Sequence, residues 1–303
     1  MTVLVEDDRL TELVDADAVA ERLGGDAAWS EGPLWLPERD AVIWSDIPGN
    51  RILCWDAGTG EVSVERTEVE FTNGRIHDLD GRIIACSHGR RAVERTDHDG
   101  VTTVLVDRFG GVRLNSPNDV VVASDGAIWF TDPPYGILKP EEGHPGELEY
   151  QACYVFRFDP ESGQLDPVIT DMAEPNGLAF SPDERLLYVS DTALQLRTDG
   201  LGGRIRVYDV VGQACRNGRV FARVEPGVSD GFRVDVHGNI WTSSKDSVQV
   251  FAPDGKRLGK MPVPEKVANL CFGGPDRDVL YIAASTGLYR LPTRVRGCFA
   301  ERA

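Results

Sequence analysis

Glu174-Pro175-Asn176-Gly177-Leu178-Ala179-Phe180-Ser181-Pro182-Asp183-Glu184-Arg185-Leu186-Leu187-Tyr188-Val189-Ser190-Asp191 decides how the chain is read. A polar residue followed by Gly opens a short apolar run, Pro182-Asp183 makes a turn, and a second β-forming run ends in a small hydroxyl residue and a polar one. The pattern is a hairpin with its two chemical ends on the same side, because an antiparallel second strand returns to where the first began.

Working outward, the same unit recurs six times. Its opening residues are Glu31, Asn73, Asn118, Asn176, Asp230 and Asn269, at spacings of 42, 45, 58, 54 and 39 residues. Matching turns fall at residues 37–40, Asp80-Gly81, Asp125-Gly126, Pro182-Asp183, His237-Gly238 and Pro275-Asp276. The second strands end at Ser45-Asp46, Ser87-His88, Thr131-Asp132, Ser190-Asp191, Ser243-Ser244 and Ala284-Ser285. A period of about 40 to 50 residues built of short strands signals propeller blades. The expectation is therefore an all-β, six-bladed β-propeller filling residues 1–303, with four antiparallel strands per blade. Residues 1–28 form an extension whose end, up to about Leu23, supplies the outer strand of the last blade. A short amphipathic helix is expected near residues 11–23.

Composition narrows the function. A net charge of -17, with Lys and Arg scattered rather than gathered into a stripe, disfavours nucleic acid and anionic lipid as partners. No run approaches the roughly 20 apolar residues of a membrane span, and Glu6, Asp7 and Asp8 stand where a signal peptide would carry basic and apolar residues, so a cytoplasmic protein is expected. The six cysteines lie far apart with no C-x-x-C pair and read as reduced, mostly buried thiols. Gly227-Val228-Ser229-Asp230-Gly231 matches the G-x-S-x-G hydrolase pattern, but it runs into the alternating Phe232-Arg233-Val234 rather than a helix and is read as a coincidence.

If first strands surround the axis, the six opening residues form an inner ring of oxygen-bearing side chains with a charge of only -2. Asn and Asp before Gly satisfy turn backbones anywhere. All six openings carrying an amide or carboxylate suits a hard cation better: calcium first, or magnesium or manganese. His88 and Asp132, in the outer series on the same face, are candidate substrate contacts, as is Tyr135 in the long 132–153 loop. The remaining histidines, His77, His98, His144 and His237, fall in turns or loops.

The chain resembles the gluconolactonase and regucalcin (senescence marker protein) group of six-bladed propeller hydrolases. The resemblance spans about residues 29–290. Its most specific segments are Ser30-Glu31-Gly32-Pro33-Leu34-Trp35, Ala85-Cys86-Ser87-His88-Gly89, Asn115-Ser116-Pro117-Asn118-Asp119-Val120, Phe130-Thr131-Asp132-Pro133-Pro134-Tyr135-Gly136 and residues 174–183. It implies one divalent metal held by Glu31, Asn118, Asn176 and Asp230 with water, reported in the family as calcium, zinc, manganese or iron. Asn73 and Asn269 then become supporting ring members, and Asp119 is expected to brace Asn118.

The activity implied is hydrolysis of a small sugar lactone such as gluconolactone, with Asn118 also touching substrate and Asp230 as the catalytic base. Related propellers with the same four residues hydrolyse organophosphates, and a non-catalytic calcium or sugar binder is the other alternative. An aspartate wall formed by Asp46, Asp132 and Asp191 is expected to favour an unphosphorylated sugar.

Overall fold

A computed structural model of the chain describes residues 2–193 and 203–299. Six antiparallel blade sheets, five of four strands and one of five, follow one another along the sequence, beside a small two-stranded ribbon, Arg108–Phe109 with Val112–Arg113. The innermost strands are Ser30–Leu36, Thr72–His77, Val120–Val122, Pro175–Phe180, Phe232–Val234 and Val267–Gly273. Four of the six opening residues, Glu31, Asn73, Asn176 and Asn269, lie within these strands, and Asn118 and Asp230 each stand two residues ahead of their own.

The inner two strands of the first blade, Ser30–Leu36 and Ala41–Asp46, are buried along their whole length, whereas its outer strand Val62–Thr67 is almost wholly exposed. Each sheet is sandwiched between its neighbours, so inner strands lose the one-face alternation of an open sheet and read as continuous apolar runs. The packing between the fifth and sixth blades illustrates the core: Trp241, Val248, Leu270, Leu280 and Ile282 are all fully buried in one cluster.

The circle is closed by the N-terminal segment. Glu21–Gly24 pairs antiparallel with Gly287–Pro292, placing Glu21 opposite Arg290, and so supplies the outer strand of the sixth blade. Leu4–Val5 adds a fifth strand to the fifth blade, against Arg257–Pro262. The extension therefore covers the edges of two blades, which removes exposed strand edges at the junction of chain start and chain end.

The helix expected at residues 11–23 is absent. A single 3-10 turn, Asp8–Glu12, capped by the Asp7 side chain on Arg9 N at 3.1 Å, is followed by coil and the closing strand. Leu10, Leu13 and Val14 have helical spacing because one turn suffices to bury them under the fifth and sixth blades. Beyond that turn, pairing with the sheet edge decides the conformation.

Candidate active site

The two residue series meet as the meander requires: Glu31 lies directly opposite Ser45, Thr72 opposite Ser87, and Pro175 opposite Asp191. In the first, second, fourth and sixth blades the register also slips at the opening residue, between Glu31 and Leu34, Thr72 and Arg75, Pro175 and Leu178, and Val267 and Asn269. A bulge there re-aims the side chain that would otherwise lie on a sheet face. This recurring bulge was not read from the sequence.

Glycine after the opening residue has a second use. A Cβ on Gly32 would stand 2.2 Å from Asn73 O, and one on Gly177 would stand 2.3 Å from Asp230 O. The next blade's ring residue presses its backbone onto that glycine, and Gly177 N donates to Asp230 O at 3.1 Å. The hydroxyl series sews the same junctions: Ser190 Oγ donates to Asp230 O at 2.9 Å and Ser45 Oγ donates to Thr72 O.

Around the axis the buried ring side chains engage one another. Glu31 Oε2 accepts from Gly32 N at 2.9 Å. Asn269 commits its Oδ1 to Leu270 N at 2.8 Å and turns its amide nitrogen toward Glu31, which makes it a supporting member. Asn73 and Asn118 both point their amide nitrogens at His88 Nε2, at 3.2 and 3.4 Å. Asn176 lies against the Tyr135 hydroxyl. Asp230 has its backbone N held by Ser243 Oγ at 2.8 Å, while no hydrogen bond to its carboxylate oxygens is present among the described residues.

Burial, and then the nearby charge of Asp230, pushes the Glu31 carboxyl well above the usual range. Burial likewise pushes Asp230 up to about 6, against the pull of Lys266. A buried Glu31 beside a half-buried Asp230 is a costly pairing of carboxylates unless positive charge compensates it. Arg75 lies beneath them but donates to Gly32 O at 2.7 Å and to Ser45 Oγ. Among the described residues no three His, Cys, Asp or Glu side chains gather into a metal-binding cluster. The ring offers instead carboxylate and carboxamide oxygens, a donor set that fits a hard divalent cation.

Three expected roles are corrected by position. Asp119 is 0% exposed, accepts from Val120 N at 2.9 Å and faces Arg233 Nη1 at 3.4 Å, so its carboxylate serves a buried ion pair rather than the Asn118 amide. His88 is also 0% exposed: Nδ1 meets Glu142 O at 3.1 Å, Nε2 meets the two asparagines, and burial pushes its pKa down to about 4. Both ring nitrogens are occupied, which leaves none for a substrate hydroxyl.

Asp132 is the third, and with it the aspartate wall. Asp132 Oδ2 accepts from Asn115 N and the Tyr150 hydroxyl, both at 2.7 Å. Asp46 accepts from Ala28 N at 2.9 Å, and Asp191 from Glu174 N at 3.2 Å. Each aspartate is 2% exposed or less and staples the segment entering its own blade's inner strand. With these carboxylates buried and committed to backbone amides of their own blades, the charge argument against phosphorylated sugars lapses.

Burial pushes the Asp132 carboxyl up to about 7, from 3.8 in an unperturbed chain. Between those values the fold keeps a proton that the unfolded chain releases, so the cost to stability grows as pH rises through the window and is complete above about 7. Asp132→Asn keeps an acceptor for Asn115 N and Tyr150 and removes that cost. Its thermal unfolding midpoint, compared with the parent's, is expected to be more favourable at pH 8 than at pH 5; a difference independent of pH would show the carboxyl ionised throughout.

Of the substrate contacts expected from sequence, Tyr135 remains at the ring. It opens the short helix Tyr135–Leu138 in the 132–153 loop, and its hydroxyl also reaches Thr192 and, at 3.3 Å, Glu174. Lys139, on the same loop, stands over its ring at 4.9 Å, and Lys266 covers Trp29 at 4.8 Å. Both lysines act on Asp230 electrostatically. Ser229 hydrogen-bonds Thr242 Oγ1 at 2.7 Å in irregular chain that leads into the strand Phe232–Val234 and not into a helix, so the G-x-S-x-G match is no nucleophile elbow. All six cysteines are free thiols. No helix among the described residues is long and apolar enough to cross a membrane.

The fold is that of a six-bladed propeller whose inner strands open onto a ring of carboxylate and carboxamide side chains on one face. Residues 29–286 match the family described as SMP-30/Gluconolactonase/LRE-like region, and the chain belongs to that family. It is 33% identical to a gluconolactonase of Zymomonas mobilis over 95% of this chain and 85% of that protein. It is 29% identical to a pentonolactonase of Haloferax volcanii over 92% of this chain and 86% of that protein. The solved structure of a gluconolactonase from Xanthomonas campestris superposes with a TM-score of 0.89 at 40% identity, covering 97% of this chain and 95% of that one.

Proposed function

We propose that the chain is a divalent-metal-dependent lactonase that opens a sugar-derived aldonolactone, such as gluconolactone or a pentonolactone, to the aldonic acid. The observation that carries the reading is the neighbouring pair of carboxyls, Glu31 and Asp230, both held above their ordinary range and set among asparagine amides at the centre of one face. Family membership and the gluconolactonase and pentonolactonase relatives support the reaction class.

Glu31, Asn118, Asn176 and Asp230 would hold the ion, with calcium the best match to an all-oxygen set of low charge and magnesium or manganese next. Zinc and iron suit nitrogen and sulfur donors better. A bound divalent cation supplies Lewis-acid polarisation of the lactone carbonyl. Asp230, whose carboxylate carries no hydrogen bond among the described residues, takes the proton of the attacking water as the water oxygen bonds to the carbonyl carbon. The ring C–O bond then breaks and Asp230 returns the proton to the departing oxygen, giving a hydroxyl and a carboxylic acid. Asn118, Asn176 and the Tyr135 hydroxyl orient the substrate.

Polar groups around the ring are left unpaired by an apolar substrate, which penalises it. A five- or six-carbon aldonolactone is therefore expected to exceed a long-chain acyl homoserine lactone in kcat/KM by roughly a hundredfold or more. A panel of both lactone types assayed with several divalent metals checks this; a higher kcat/KM for the acyl homoserine lactone than for every aldonolactone would overturn it.

A further inference from the structure

His88 is the one histidine inside the site, and its two nitrogens face opposite structures. On one side Nδ1 lies 3.1 Å from Glu142 O in the 132–153 loop. A carbonyl can only accept, so Nδ1 carries the proton. On the other side Nε2 faces Asn73 Nδ2 at 3.2 Å and Asn118 Nδ2 at 3.4 Å, so its lone pair receives two amide N–H groups. The loop is pressed onto this histidine: a Cβ on Gly136 would stand 2.5 Å from His88 Cβ. No charged group is needed for the arrangement, and the complete burial of the ring suits a neutral imidazole.

An asparagine can offer its neighbour nitrogen or oxygen, and the two ends have nearly the same shape. Only the oxygen can ligate a cation. Whatever receives the amide nitrogen therefore decides whether the oxygen faces the ion.

We propose that His88 is a positioning residue: its Nε2 lone pair holds the carboxamides of Asn73 and Asn118 by their nitrogens, leaving the Asn118 oxygen for the cation, while Nδ1–H ties this setting to Glu142 in the covering loop. The inference rests on the cation site proposed above and adds to it the element that sets the polarity of an amide ligand. It also gives the loop a structural line to the ring, Glu142 to His88 to Asn118. Neighbours that orient a ligand without touching the ion commonly change metal affinity by about 10–100-fold.

The test uses full-length protein stripped with chelator, titrated calorimetrically with calcium, and melted without metal to confirm folding. His88→Leu removes the acceptor and is expected to weaken calcium binding about 10–100-fold. His88→Gln places an oxygen acceptor at the same reach as Nε2 and is expected to restore most of the loss. Nitrogen NMR of the metal-free parent is expected to show His88 protonated at Nδ1 and bare at Nε2.

Parental calcium affinity in folded His88→Leu overturns the proposal, as does a proton on Nε2. Should His88→Leu fail to fold, His88→Gln and the tautomer decide: tenfold weaker binding by folded His88→Gln overturns it as well. A parent that binds no calcium, magnesium or manganese sinks the cation site itself, whereas a binding parent with an indifferent His88→Leu sinks only the role of His88.

Discussion

Stripping the protein with chelator and dialysing it is expected to reduce lactone hydrolysis to the uncatalysed background, and adding back calcium to restore it. Glu31 is driven toward its protonated form by burial and then by the charge of Asp230, and Asp230 by burial and then by the charges of Glu142 and Asp119. Without a cation the ring has two poor options: to carry uncompensated charge, or to take up protons and lose its base. Arg75 does not relieve them, being committed to Gly32 O and Ser45 Oγ and itself pushed down to about 10 by burial. The same linkage predicts a gain in thermal stability on reloading, about 2.7 kcal/mol when free calcium stands at a hundred times its dissociation constant. Full activity after exhaustive chelation, with no divalent metal left by elemental analysis, would remove the metal from the reaction.

Glu31→Gln separates this effect from folding. Gln keeps an acceptor for Gly32 N but removes the more deeply buried of the two charges. Its melting point without metal should match or exceed the parent's, because a carboxyl held above its normal range no longer opposes folding, while calcium affinity falls. The opposing directions distinguish a ligand from a merely structural glutamate.

What the sequence reveals of this molecule follows from what short-range chemistry controls. The six blades were legible because each hairpin carries its own turn signal, as at Asp80-Gly81 with Gly81 at a φ of 80°. The ring was legible because polar residues recur at the starts of inner strands. The direction of the outer series was not. Whether Asp46, Asp132 and Asp191 face a ligand or a backbone depends on the path of the segments around Ala28, Asn115 and Glu174, which no local pattern encodes. His88 gave the same difficulty, since its Nδ1 partner, Glu142, is 54 residues away.

The glycines show a subtler limit. Gly177 and Gly231 look like turn residues after Asn176 and Asp230, yet neither has positive φ. Their necessity comes from the neighbouring blade: a Cβ on Gly231 would fall 2.1 Å from the Asn269 carboxamide. A motif legible as a turn signal thus encodes the narrow waist of the propeller, where six strands must approach closely enough for their first side chains to meet.

At saturating calcium Asp230→Asn is expected to lower kcat about a thousandfold, within the range for loss of a general base, while weakening calcium binding, as loss of a ligand charge must, and leaving the metal-free melting temperature at or above the parent's. The side chain keeps an oxygen of the same reach, and the backbone anchors at Ser243 Oγ, Gly177 N and Ser190 Oγ do not involve the carboxylate. What disappears is the one ring carboxylate whose oxygens carry no hydrogen bond among the described residues and can accept a proton from water. Glu31 cannot take over, because its Oε2 holds Gly32 N and Asn269 turns its amide toward the same side chain. A single turnover of the parent in oxygen-18 water sharpens the assignment, since water attack places the label in the aldonic acid and direct attack by Asp230 places it in the enzyme. Retention of more than about a tenth of parental kcat by a folded, calcium-loaded Asp230→Asn would show that the proton leaves by another route.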